Sequence, residues 1–189
     1  LVPAGVWSHQ GTYISALNTI AEAAGAYLQP HRTAQTIRVL PRYPVPPWEW
    51  GSVVPTYALP SAATARESLE WKDAARYNGV YVSGVSAGVL GWVKRTGTAG
   101  DELAPMVVDP LITEAVAARQ RGIAVLADTG RQIDVALRLP VLPETGVIEP
   151  GVFVEYQDGG ASRLGLVRST SVQAGLPDVW QTLGVETHA

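Results

Sequence analysis

Gly84-Val85-Ser86-Ala87-Gly88 matches the G-x-S-x-G pattern of serine hydrolases, in which a sharp strand-to-helix turn lifts a serine hydroxyl above a sheet. Asp128, Asp134 and His188 follow in the Ser, Asp, His chain order that such enzymes use. The residues after Ser86 argue against it. Val89 to Gly97 reads VLGWVKRTG, β-branched, aromatic and broken by glycine, where a nucleophile elbow needs a helix whose N-terminus supports the oxyanion hole. His188 stands one residue from the end, where chains fray, and no Gly-rich oxyanion loop precedes the serine. We therefore expect Gly84, Ser86 and Gly88 to form the tip of a β-hairpin, with glycine supplying positive φ.

Other chemistry fares no better. His9, His31 and His188 are scattered and belong to no paired-ligand motif, so no metal site is expected. Glu49 with Glu70 or Asp73 has no spacing that glycoside hydrolysis would recognise. Thr96-Gly97-Thr98-Ala99-Gly100-Asp101 lacks the lysine and the helix start of a phosphate-cradling loop and reads as a loop. The expectation is no enzyme: no catalytic, cofactor-binding or metal-ligating residue, and no cofactor. Trp48 and Trp50 leave two readings open, a platform for a sugar or peptide, or a strap whose indoles plug grooves on the protein itself or on a neighbouring subunit.

The elements that would carry these residues follow from patterning. With 189 residues, 47% hydrophobic and 16% charged, the chain can bury a core as one domain or two small ones. A net charge of -3 offers no basic field for nucleic acid, and no nucleic-acid specificity is expected. Of 14 basic residues only Lys72 and Lys94 are lysines, a bias toward the fixed, bidentate contacts of arginine. Cysteine is absent, and no apolar run approaches the roughly 18 residues of a membrane span, so no stable membrane insertion is expected. The chain begins at Leu1 without methionine, and we expect it to be the C-terminal part of something longer.

Thr12 to Ala24 reads as a helix capped by Thr12 and stopped by Gly25, with an apolar stripe of Ile14, Leu17, Ile20, Ala21 and Ala24. Ala26 to Gln29 and Thr36 to Leu40 read as a hairpin around Pro30 to Ala34. Residues 1–40 thus form a small helix-plus-hairpin unit, part of a larger domain. Residues 41–60 carry so much proline that neither helix nor central strand is expected, only an extended linker. Residues 61–189 read as a β-rich domain. It holds an ambiguous stretch leaning to strand near Trp71, strands at 80–83 and 89–95, and a helix opened by Asp109-Pro110 and running to about Ala127. Four strands follow, at Gln132 to Leu139, Val152 to Tyr156, Leu164 to Gln173 and Val179 to Glu186. The fold class expected is α+β, mainly antiparallel β, with two principal helices.

Ile20 to Ala26 running into a hairpin and then Leu40-Pro41-Arg42-Tyr43-Pro44, Tyr77 to Gly84, and Leu166 to Ser171 with Gln181 to His188 resemble bacteriophage tail proteins of the baseplate hub or tail tip hub type, the late control protein D-like family. The likeness runs from Val6 to His188 through loose patterns. It implies barrel-like hub domains, a homotrimeric ring that joins the tail tube to the central spike or tip, kinship with the spike hubs of contractile secretion systems, and a place in the virion after assembly in the host cytoplasm. Arg138, Arg163 and Arg168, on alternating strand positions, then either face carboxylates across a subunit boundary or line a solvated sheet face.

Overall fold

The computed structural model describes residues 2–85 and 88–188. The chain is α+β and divides into two compact units that interleave in sequence, Leu1–Trp48 with Ala75–Thr129, and Glu49–Ala74 with Gly130–Ala189. The 41–60 segment and the 61–189 stretch are therefore each shared between the two units, a division that depends on long-range pairing and has no local sequence mark.

In the first unit, α1 (Tyr13–Ala23) begins where Thr12 accepts a hydrogen bond from the Ser15 amide on its side-chain oxygen, the N-cap expected. Its stripe does not pack as expected. Ala21 and Ala23 are buried, whereas Ile14, Leu17 and Ile20 remain exposed among the described residues. Gly25, at φ +67°, ends the helix and lets the chain pass close to the Gln120 carbonyl, and β1 (Ala26–Pro30) pairs antiparallel with β2 (Ile37–Pro41).

The core of this unit lies between α2 (Ala115–Ala127) and a three-stranded sheet in the order β6-β5-β7, where β5 is Gly79–Ser83, β6 Leu90–Lys94 and β7 Val107–Val108. On β5, Val80 and Val82 are fully buried while Tyr81 faces outward, the alternation a one-sided sheet requires. They pack with Ile112, Ala118 and Leu126. Gly122, which weakens the helix pattern locally, is required by packing: a Cβ there would stand 2.6 Å from Val93 Cγ2. The helix starts later than expected, because Asp109-Pro110 opens a turn instead. The Asp109 carboxylate accepts from the Leu111 amide at 2.9 Å, and the turn inserts Leu111 and Ile112 into the interior before Glu114 caps the helix without a side-chain bond.

The second unit is a six-stranded sheet in the order β3-β9-β10-β11-β8-β4. Its strands are β3 (Tyr57–Ala58), β4 (Ala65–Asp73), β8 (Arg131–Pro140), β9 (Phe153–Asp158), β10 (Ala161–Ala174) and β11 (Val179–His188). All neighbours are antiparallel except β3 with β9. The ladder has two edges and does not close, so the barrel-like domains implied by the resemblance are replaced by open sheets. One face buries Ile133, Val135, Leu137, Val167, Leu183 and Val185. The proline-rich segment is not simply extended: Pro47–Ser52 forms a 3-10 turn, since proline fits a first turn and Trp48 to Ser52 are free to continue it. Tyr57 and Ala58, between Pro55 and Pro60, reach only a sheet edge, where proline is tolerated.

Candidate functional site

Ser86 lies outside the described residues; its flanks do not. β5 and β6 pair antiparallel from Gly79↔Lys94 to Ser83↔Leu90, and the Gly84 amide donates to the Val89 carbonyl at 2.8 Å. A strand therefore follows the motif on the far side, and α2 begins only at Ala115. The first glycine of the pattern is explained by packing, since a Cβ on Gly84 would overlap the carbonyl oxygen of Ile112. Gly88, at φ +63°, holds a left-handed conformation that other residues adopt at a cost.

The acids and base of the would-be triad are engaged elsewhere. Asp128 accepts from Arg42 Nη2 at 3.0 Å and from the Tyr43 hydroxyl at 3.1 Å. Asp134 pairs with Lys72, whose ammonium is held above its ordinary value first by that hydrogen bond. His188 is not frayed but sits in β11 opposite Gln132, its Nε2 at 2.6 Å from Glu186 Oε1 and its ring edge-on to Trp50 at 5.0 Å. The other Glu186 oxygen accepts from Arg168 Nε at 2.7 Å. This Arg168–Glu186–His188 cluster, which no sequence spacing announces, pins β10 to β11 with a nearly buried carboxylate held on both oxygens.

The remaining candidates are dispersed. His9 reaches Ser15, and His31 accepts from the amides of Thr33 and Ala34 within its own turn; no group of three or more metal-capable side chains occurs among the described residues. Glu70 and Asp73 stand three apart on β4, hence on opposite faces, and Glu49 lies in the 3-10 turn. Trp48 and Trp50 do not make a platform. Trp50 is buried in the second unit, edge-on to Phe153 at 5.2 Å, and Trp48 packs against the core of the first with the Arg95 guanidinium 4.9 Å over its ring. The strap whose indoles plug the protein's own body is the arrangement found.

The three strand arginines find carboxylates within the chain. Arg163 Nε meets Asp158 at 3.0 Å, Arg168 meets Glu186, and Arg138 lies 3.4 Å from Glu67 and 5.1 Å over the Trp180 ring. They are committed to strand pairing within the sheet. What remains for function is surface: the exposed α1 stripe, the stretch from Ser171 to Val179 at the β10–β11 turn with Leu176 fully exposed, and the open edges of the six- and three-stranded sheets. No helix among the described residues is long and apolar enough to cross a membrane.

No protein-family model and no curated protein matches the sequence. The fold has solved counterparts. The crystal structure of the tail protein from Neisseria meningitidis MC58 superposes with a TM-score of 0.51 at 16% identity, over 95% of this chain and 56% of that one. The crystal structure of the prophage MuSo2 43 kDa tail protein from Shewanella oneidensis gives 0.52 at 14% identity, over 95% and 54%. The chain spans about half the length of both, and at these identities the likeness is one of fold.

Proposed function

We propose that the chain is a non-enzymatic structural subunit of a bacteriophage tail, seated at the baseplate hub or tail tip, where a homotrimer joins the tail tube to the central spike or tip. The observation that carries this reading is the shared fold, over 95% of the chain, with two tail proteins, one of them from a prophage. The surface supports it. An isolated globular protein rarely leaves Ile14, Leu17 and Ile20 aligned and exposed on one helix, whereas a ring subunit has neighbours to cover them. The engagement of Asp128, Asp134 and His188 in structural pairs favours scaffold over hydrolase. Light scattering across a concentration series tests the oligomer: we expect the mass of a trimer, weakened when Leu17 and Ile20 are changed to Asp. A monomer at high concentration would overturn the ring assignment.

A further inference from the structure

The open edge of β6 differs from the long β4 edge of the six-stranded sheet. The register of β5 on β6, with the Gly84-to-Val89 and Arg95-to-Asn78 hydrogen bonds, makes Val89, Gly91, Val93 and Arg95 the residues bonded to β5. The alternate residues Leu90, Trp92 and Lys94 therefore turn their backbone N–H and C=O groups to the open side. β6 ends its sheet, and among the described residues only β5 pairs with it. A groove of about 240 Å³ runs along this edge, lined by four consecutive strand residues, Gly91 to Lys94, and by Ala115 and Arg119 from the first turns of α2. A groove over one face alone would meet alternate side chains, so four successive lining residues fit a groove along the strand's edge.

The charge at the groove is uncompensated. Arg119 is exposed and makes no hydrogen bond or ion pair among the described residues, and Lys94 lies over the Trp92 ring at 5.5 Å without a carboxylate partner. The β4 edge is the contrast. There Arg66 is paired with Asp158 and Lys72 with Asp134, Arg131 covers the Trp71 ring, and a bulge between Arg66 and Ser68 bends the strand, the devices that guard an edge against pairing. β6 has no bulge and its one edge cation, Lys94, is not neutralised by a carboxylate, while Leu90 and Trp92 add exposed apolar surface beside it.

We propose that this groove is a strand-addition site that takes an extended acidic segment of a partner protein between β6 and the start of α2. The added strand bonds to the backbone of Leu90, Trp92 and Lys94. Its side chains alternate, one set toward Ala115 and Arg119 on the helix side, the other toward Trp92 and Lys94 on the outer face. Carboxylates on both faces, spaced by β-branched residues, match that pattern. The site rests on the geometry of the first unit alone and is independent of the tail assignment.

The test uses the purified protein with a fluorescein-labelled peptide, Val-Glu-Glu-Val-Glu-Glu-Val, read by fluorescence anisotropy and by amide NMR. We expect saturable binding at roughly millimolar Kd or tighter. The Lys94→Glu/Arg119→Glu pair should weaken it at least about tenfold. Trp92→Pro should abolish it while Trp92→Ala retains part, because proline removes an N–H that points away from β5 and spares the ladder. Amide shifts should centre on Leu90 to Lys94. Equal binding of the lysine counterpart of the peptide, no binding at millimolar peptide, or shifts centred elsewhere would each overturn the proposal. Concentration-dependent protection of the Trp92 and Lys94 amides without peptide would also overturn it, assigning the edge to a second copy of the chain.

Discussion

Gly84→Ala should destabilise the first unit by at least about 3 kcal/mol, the upper end of what overpacking costs. The Cβ would overlap the carbonyl oxygen of Ile112, and Ile112 has no room to yield. It is fully buried against Val80, Val82 and Leu126, and its amide is tied back to the Asp109 carbonyl at 3.1 Å. The obstruction is backbone rather than the far end of a flexible side chain, so relief means moving the whole 109–112 turn. Urea unfolding followed by amide exchange of Val80 and Val82 would measure it. A change of less than about 0.5 kcal/mol, typical of an unconstrained surface position, would mean that the glycine is not held against that turn. In a hydrolase the same glycine would be kept for the elbow, and its substitution would remove activity without the loss of Val80 and Val82 protection.

Gln181→Leu should cost the second unit about 2–3 kcal/mol, the penalty for leaving a buried donor unpaired. Gln181 is fully buried between β8 and β10, where its side-chain oxygen accepts from the Ile148 amide at 2.9 Å and its amide donates to the Gly146 carbonyl at 3.1 Å. Leucine fits the volume but offers nothing to Ile148 N–H, which is itself buried under the sheet. The Gly146 carbonyl keeps the Thr145 hydroxyl at 3.1 Å, so one orphaned group, not two, sets the magnitude. Denaturant midpoints of Gln181→Leu and Thr170→Val would be compared. The second removes only a hydroxyl bond to the Ile148 carbonyl and should cost less, about 1 kcal/mol. Equal stability of Gln181→Leu and the parent would contradict this account of the 146–148 loop.

The strands were legible because each carries its own alternation. Gln132 to Leu139 alternates along one sheet face, and β8 extends the expected run by one residue at each end. Thr12 and Gly25 mark the ends of α1 for the same local reason, a side-chain cap and a left-handed stop. What failed was ambiguous locally or set at long range. Asp-Pro serves a turn as well as a helix start, and only the insertion of Leu111 and Ile112 into the interior decides between them. Ile14, Leu17 and Ile20 have the period of a buried stripe, and period alone cannot tell a core from an interface.

The candidate site was legible mainly in what it excludes. The strand after Ser86 shows in the β-branched and aromatic residues that follow it, and with it the hairpin that replaces an elbow. The pairing of Arg168 with Glu186, and of Arg138 with Glu67, depends on which strands become neighbours, so the arginine pattern alone left a subunit boundary and a solvated face both open. The β6 groove was invisible for a related reason: Lys94 and Arg119 are 25 residues apart in the chain, and only the packing of α2 through Gly122 on Val93 and through Ala118 on Gly91 brings them to one edge.

Labelling tailed phage particles with antibody against this chain, viewed by negative-stain electron microscopy, tests the central claim most directly. We expect label confined to one end of the tail, at the junction of tube and tip, with a copy number per particle that is a multiple of three. Particles whose tails carry no label, while the protein stays in the cell lysate as a monomer, would contradict it.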